Sequence, residues 1–214
     1  MDGVGGLHHQ PLPPARGRRP EKGAGANGGL EGSARTAADQ ALARSRGGLT
    51  AKVHLACDGR GLPLAVVLTP GNVDDCTVFK AVLESVRVPR TGAGRPRQRP
   101  ATVIADKAYS SREVRQDLRR RGIRAVIPER TGQRANRQRR GRAGGRAGGR
   151  PPAFDPELYK ARNVVERCFS RLRQFRAIAT RFDKLATRYR AGLHIASLIL
   201  WLREPNHERL PDTA

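Results

Sequence analysis

The stretch ATVIADKAYSSREVRQDLRRRGIRAVIP, residues 101–128, decides the fold class. ATVIA (101–105) is a short apolar run that stops at Asp106, the pattern of a strand. SSREVRQDLRRR (110–121) opens with the capping-box spacing Ser110-x-x-Glu113 and stops at Gly122, the start and stop signals of a helix. IRAVIP (123–128) is a second apolar run. Strand, helix and strand at this spacing predict a βαβ unit with two parallel strands.

Upstream, LTAKVHLAC (49–57) alternates Leu49, Ala51, Val53, Leu55 and Cys57 against Thr50, Lys52 and His54, the period of a half-buried strand that leaves His54 on its surface. Asp58-Gly-Arg-Gly61 is turn chemistry and LPLAVVLT (62–69) a more apolar strand, so the pair predicts a hairpin. After Pro70-Gly71, DDCTVFKAVLESV (74–86) places Phe79, Val82, Leu83 and Val86 at helical spacing behind Asp74 or Asp75 as a cap. A hairpin beside a βαβ unit predicts an α/β domain with one mixed sheet.

Downstream, TGQRANRQRRGRAGGRAGGR (131–150) holds seven arginines and no acid, and predicts a flexible basic loop over 131–152. PELYKARNVVERCFSRLRQF (156–175) predicts a long helix, and RYRAGLHIASLILWLR (188–203) a final, largely buried one stopped before Pro205. His194 falls within the last helix, and neither it nor His207 has metal-ligand spacing. Residues 204–214 form a tail. Residues 1–44 are rich in Gly, Ala, Pro and Arg without sustained apolar period, so they predict a disordered segment ahead of an ordered domain at 45–203.

The balance of charge points to a polyanionic partner. The chain has 42 Lys and Arg against 19 Asp and Glu, a formal charge of +23 in 214 residues. Nucleic acid is the first candidate. A membrane is disfavoured, because no apolar run approaches the roughly 18 residues of a span. Aromatics are only 4% of the chain, too few for a platform that stacks single-stranded bases. The three cysteines, Cys57, Cys76 and Cys168, are far apart in apolar patterns and predict buried thiols in a reducing compartment rather than zinc ligands. Together these predict a cytoplasmic, nucleoid-associated protein.

On the helix at 156–175, Tyr159, Arg162, Glu166 and Arg173 fall within roughly 60° of one another at 100° per residue, apart from a core stripe of Leu158, Ala161, Val165, Cys168 and Leu172. A solvated face with internal ion pairs is the ordinary reading of such a stripe. Its spacing, Tyr159-x2-Arg162-x3-Glu166-x6-Arg173, resembles the signature of insertion-sequence DDE transposases, with Arg173 where the family pattern has lysine. VIADKAYSS (103–111) is similar to the turn that carries that family's second catalytic aspartate, and residues 44–76 to the hairpin before it. The resemblance runs from about Arg44 to Leu202.

What the resemblance implies is an RNase H-like mixed sheet with flanking helices, on which three carboxylates hold two Mg²⁺ ions for strand cleavage and transfer during DNA transposition. Mg²⁺ is a hard ion that takes oxygen ligands, and a pair of them can activate the attacking oxygen and stabilise the leaving one. Carried over, Asp106 and Glu166 are the second and third catalytic carboxylates and metal ligands. Lys107, Tyr159, Arg162 and Arg173 are the DNA-contacting residues. The partners implied are double-stranded DNA, as transposon ends and as target, and further copies of the chain in the DNA complex. A non-catalytic basic nucleic-acid-binding protein is the alternative; it accounts for the charge and not for the contexts of Asp106 and Glu166.

The first catalytic aspartate of the pattern, on a strand ahead of the hairpin, has no counterpart: Asp2 and Asp39 are the aspartates available before residue 45, and neither lies in an apolar run. The first strand is therefore expected to be missing, and the chain to be an incomplete catalyst. GGLHHQPLPP (5–14) can be back-translated so that dropping the first base gives V-D-S-T-I-S-R-C-H, the missing motif. The paired His8 and His9 then read as the first strand in another frame, not as a metal site.

Overall fold

A computed structural model describes residues 4–11, 41–45, 48–90, 92–142, 148–183 and 185–204. Its strands are β1 (Val4–Pro11), β2 (Ala43–Ser45), β3 (Gly48–Cys57), β4 (Pro63–Pro70), β5 (Thr102–Ala105) and β6 (Arg124–Val126). Its α-helices are α1 (Asp75–Ser85), α2 (Arg112–Arg120), α3 (Thr131–Arg142), α4 (Pro156–Lys160), α5 (Asn163–Arg173), α6 (Arg176–Ala179) and α7 (Ala186–Leu202). A single 3₁₀ turn, Lys107–Tyr109, follows β5.

The expected hairpin is present: β3 and β4 pair antiparallel from Ala51↔Pro70 to Cys57↔Pro63. Its turn is fixed by Asp58, whose carboxylate accepts the N–H groups of Arg60 (3.0 Å) and Leu62 (2.8 Å). The βαβ unit is also as expected, with β5 and β6 parallel from Thr102↔Arg124 to Ile104↔Val126. Helix α2 is capped by Ser111, one residue later than the spacing suggested, because the Ser110 hydroxyl is engaged by Gln133. It ends where Gly122 takes φ +65° and the Ile123 N–H reaches back to the Leu118 carbonyl at 2.9 Å, a left-handed stop that glycine adopts without strain.

One expectation about the N-terminal segment is corrected. Between β3 and β5 lies β1, antiparallel to β3 from Gly6↔Cys57 to Pro11↔Lys52 and parallel to β5 from Val4↔Thr102 to Leu7↔Ala105. The first strand is thus present as backbone. A ladder uses only N–H and C=O groups, so a stretch without apolar period can still fill a place where two strands would otherwise leave buried donors and acceptors unpaired. The disorder expected for residues 12–40 and the tail at 205–214 lie outside the described residues.

A second correction concerns His54. Helices cover both faces of the sheet, so β3 is buried on both sides rather than on one. Ala51, Val53, Leu55 and Cys57 pack under α5 and α7, while Ala56 joins Phe79, Val82, Val103 and Leu118 under α1 and α2. His54 is fully buried, with Nε2 2.8 Å from the Thr69 hydroxyl and Nδ1 3.4 Å from the Tyr109 hydroxyl. Buried polar groups persist where such partners exist. Cys57 and Cys168 are buried as expected and Cys76 is half-buried, its thiol donating to the Ala108 carbonyl. Burial is the main cause that pushes the Cys76 thiol up.

Residues 131–142, expected as flexible loop, are helix α3. Arginine and glutamine are good helix formers, and the first two turns are tied down by Gln133 to Ser110 and by Arg137 to Glu129 at 2.9 Å. Helix α7 buries one stripe, Tyr189, Leu193, Ala196 and Leu200, and leaves Ile195, Leu198 and Leu202 exposed, so it is less buried than its composition suggested. Among the described residues no helix is long and apolar enough to cross a membrane.

Burial has a consequence at high pH. The Tyr189 hydroxyl donates to the Ile178 carbonyl at 2.9 Å, and desolvation, opposed by Arg181 and Arg173, leaves its pKa pushed up to about 12. Tyr109 is raised further by the same cause. A group whose folded pKa is raised stabilises the fold fully below its unfolded value, about 10 for tyrosine, and loses that contribution as pH climbs through the folded value. The urea midpoint is therefore expected to fall between pH 10 and about 12, and Tyr189→Phe to flatten part of that fall. A wild-type midpoint constant across that window would refute the assignment.

Candidate active site

The carboxyl ends of parallel strands in an open α/β sheet open onto a crevice where ligands bind. Asp106 stands there, one residue beyond β5. Its carboxylate accepts the Lys107 N–H at 2.6 Å, and its carbonyl accepts the Tyr109 N–H at 2.9 Å, so it caps the 3₁₀ turn. Lys107 is exposed, and its ammonium makes no ion pair among the described residues. Tyr109 is fully buried against Phe79, ring centroids 5.8 Å apart, and anchors the turn from beneath.

The expected long helix at 156–175 is two helices. Around Ala161 and Arg162 the backbone tightens to i→i+3 bonds: Ala161 N–H to Leu158 at 3.1 Å, Arg162 to Tyr159 at 2.9 Å, Val164 to Ala161 at 3.0 Å and Val165 to Arg162 at 3.1 Å. Side chains three apart eclipse one another in such a segment. That places the Arg162 guanidinium over the Tyr159 ring, 5.7 Å from its centroid. Beyond the break the core stripe becomes Val164, Val165, Cys168, Phe169 and Leu172, while Leu158 and Ala161 are only half-buried.

Glu166 is exposed on α5 and pairs with Arg162 at 2.8 Å. The half-buried phenol of Tyr159 lies in the field of Arg162, Asp106 and Glu166 together. Its pKa is raised, by burial first; Arg162 opposes the rise and the two carboxylates add to it. One phenol thus senses a carboxylate from the β5 turn and another from α5. Of the predicted residues, Tyr159, Arg162 and Glu166 are brought together, and the charge of Asp106 reaches the same phenol. Arg173 lies two turns further along α5, about 10 Å on from Glu166, with its charge felt by Tyr189 instead.

Sequence reasoning missed Arg130 and Gln133. The Arg130 guanidinium donates to the Lys107 carbonyl at 3.0 Å and to that of Ala108, and the Gln133 side chain exchanges hydrogen bonds with Ser110. The signal was available: Arg130 follows β6, the parallel neighbour of β5, so its loop must adjoin the Asp106 turn.

The donor chemistry suits a hard cation only in part. Asp106 and Glu166 offer carboxylate oxygens, the ligands Mg²⁺ prefers, but no group of three or more His, Cys, Asp or Glu is gathered among the described residues. The residues of β1, VGGLHHQP, contain no carboxylate.

A family model described as the transposase DDE domain matches residues 22–201. The chain is 35% identical over 151 residues to the transposase assigned to insertion sequence element IS402 of Burkholderia cepacia, a match spanning 70% of this chain and 62% of that protein. It is 30% identical over 159 residues to the transposase assigned to element IS6501 of Brucella ovis, spanning 72% of this chain and all of that one.

Proposed function

The chain belongs to the transposase DDE domain family of insertion sequences, and from that premise we propose that its sheet carries two of the three carboxylates of a Mg²⁺-dependent DNA strand-cleavage and strand-transfer site. The observation that carries the proposal is Arg162, which pairs with Glu166 at 2.8 Å and lies over Tyr159, while Asp106 stands at the carboxyl end of β5 and its charge reaches the same phenol.

Asp106 and Glu166 would hold a Mg²⁺ ion together with phosphate oxygens of the DNA, and the bound ion would neutralise charge at the phosphate under attack. The two-ion arrangement needs a further carboxylate. Arg162 has two roles in this reading. Its pairing with Glu166 aims that carboxylate, and its seat over Tyr159 presents the phenol and guanidinium side by side to a phosphate backbone. The raised pKa keeps Tyr159 protonated at neutral pH, so its hydroxyl is available as a donor to a phosphate oxygen. Exposed Lys107 and Arg173 extend the positive surface to either side, and double-stranded DNA is the partner such a surface fits.

The missing carboxylate belongs to β1. Its stretch at residues 5–10 is proposed to be the first catalytic strand translated in another frame, keeping the strand and losing the aspartate. The test is an in vitro strand-transfer assay with transposon-end DNA and Mg²⁺, comparing this chain with a version whose upstream frame is restored. Transfer by the restored version alone is the expected result. Transfer by the present chain would overturn the proposed loss, and inactivity of the restored version would count against the catalytic reading.

A further inference from the structure

Helix α3 has an unusual composition for an ordered helix: none of its residues is buried, and it contains no acid. A polar helix of 12 residues without a packing face is marginal in water, and Arg137/Arg140 and Arg139/Arg142 add like-charge pairs at i,i+3. The nearby carboxylate of Glu129 is taken by Arg137. Arg134, Arg139, Arg140 and Arg142 are exposed and have no carboxylate partner among the described residues.

The base of the same helix is bolted to the Asp106 turn. Arg130 holds the carbonyls of Lys107 and Ala108. Gln133 accepts from the Ser110 hydroxyl at 2.8 Å and from the Arg130 N–H at 3.2 Å, and donates to the Ser110 carbonyl. Three of the four residues after Asp106 are therefore held by Arg130, just ahead of α3, and by Gln133 in its first turn. A load on the helix is a load on the turn.

We propose that α3 is an arm for the phosphate backbone of duplex DNA, and that its grip is transmitted through Arg130 and Gln133 to the turn carrying Asp106. The proposal rests on the reading of DNA as partner. At about 18 Å the helix spans roughly half a turn of B-DNA. Phosphates laid along it would relieve the arginine repulsion that leaves it marginal, so binding stabilises the arm. A steadier arm keeps Arg130 and Gln133 donating to the Lys107, Ala108 and Ser110 carbonyls of the Asp106 turn.

The test uses the full chain and a labelled duplex of arbitrary sequence, with anisotropy read across a salt series. Each phosphate contact contributes about 0.9 to the slope of log K against log salt. The variant Arg134→Ala/Arg139→Ala/Arg140→Ala/Arg142→Ala is expected to lose about 3 to 4 from that slope. A charge-matched control, Arg87→Ala/Arg90→Ala/Arg95→Ala/Arg99→Ala on the exposed connection ahead of β5, is expected to lose clearly less. Hydrogen exchange supplies the second readout: DNA should protect the amides of residues 107–110 in the wild type. That protection should vanish in Arg130→Ala/Gln133→Ala, which keeps the salt slope. An unchanged slope in the first variant, or an equal loss in the control, overturns the arm. DNA binding without protection at 107–110 overturns the transmission. A wild type that binds no duplex at low salt overturns the DNA reading itself, and with it this one.

Discussion

If β1 has lost the first catalytic aspartate as proposed, Gly6→Asp is expected to increase the Mg²⁺ response and DNA strand cleavage of the chain. The position follows from register. Gly6 pairs with Ile104 of β5, and Ile104 lies two residues before Asp106, so by the two-residue period positions 104 and 106 share one side of the sheet. That side is opposite to Val103 and Ala105, which pack under α1 and α2. It is the side covered by α5, the helix of Glu166. The back-translation reaches the same place independently, because the aspartate codon of the alternative frame takes the last two bases of the Gly6 codon. Loss of a mere supporting partner at a metal site costs 10- to 100-fold, so gain of a ligand is expected to raise Mg²⁺-dependent cleavage by at least about 100-fold. Thermal denaturation gives a readout free of DNA: Mg²⁺ should raise the Tm of Gly6→Asp, as ligands that bind only the folded state do, and leave Gly6→Asn unmoved. Adding Asp106→Asn to Gly6→Asp should abolish the shift. Equal Tm responses in Gly6→Asp and Gly6→Asn would remove the register argument.

Local chemistry was the legible part of this fold. The hairpin turn at Asp58–Gly61, the stop at Gly122 and the strand ending at Asp106 each depend on residues within a few positions, and the structure has each of them. The spacing from Tyr159 to Glu166 was legible too, although the segment is two helices. A break made of i→i+3 bonds changes the path of the chain while keeping residues three apart on one side. What could not be read was set by long-range pairing. β1 has no apolar period of its own and is a strand because β3 and β5 flank it. His54 looked exposed because a period-two pattern reports one covered face and is silent about a second. Helix α3 was taken for loop because its order comes from side chains of Arg130 and Gln133 reaching a turn more than 20 residues earlier.

Tyr109 is where the fold and the candidate site share one residue, and Tyr109→Ala is expected to be among the costliest single changes in the domain. The ring is fully buried, stacks obliquely on Phe79 and places its hydroxyl 3.4 Å from His54 Nδ1. Truncating a buried aromatic to alanine costs about 3–5 kcal/mol, because the lost transfer energy adds to that of the cavity left behind. That is a large share of the roughly 5–15 kcal/mol by which domains are stable, so a substantial fall in urea midpoint is expected. Tyr109→Phe separates packing from polarity. It keeps the ring and removes one hydrogen-bond partner of a buried imidazole, a loss of about 1–3 kcal/mol. The two variants should also differ at the site. With the ring in place, the Tyr109 N–H still closes the turn on the Asp106 carbonyl, so Tyr109→Phe should leave the Tyr159 titration where it is in the wild type. Without it, Asp106 is no longer held in the field of Tyr159, and the Tyr159 pKa should lose the smaller part of its rise that Asp106 adds to burial, as it should in Asp106→Asn. A Tyr159 titration untouched by Tyr109→Ala in protein that is still folded would mean that Asp106 is positioned by something other than the ring beneath it.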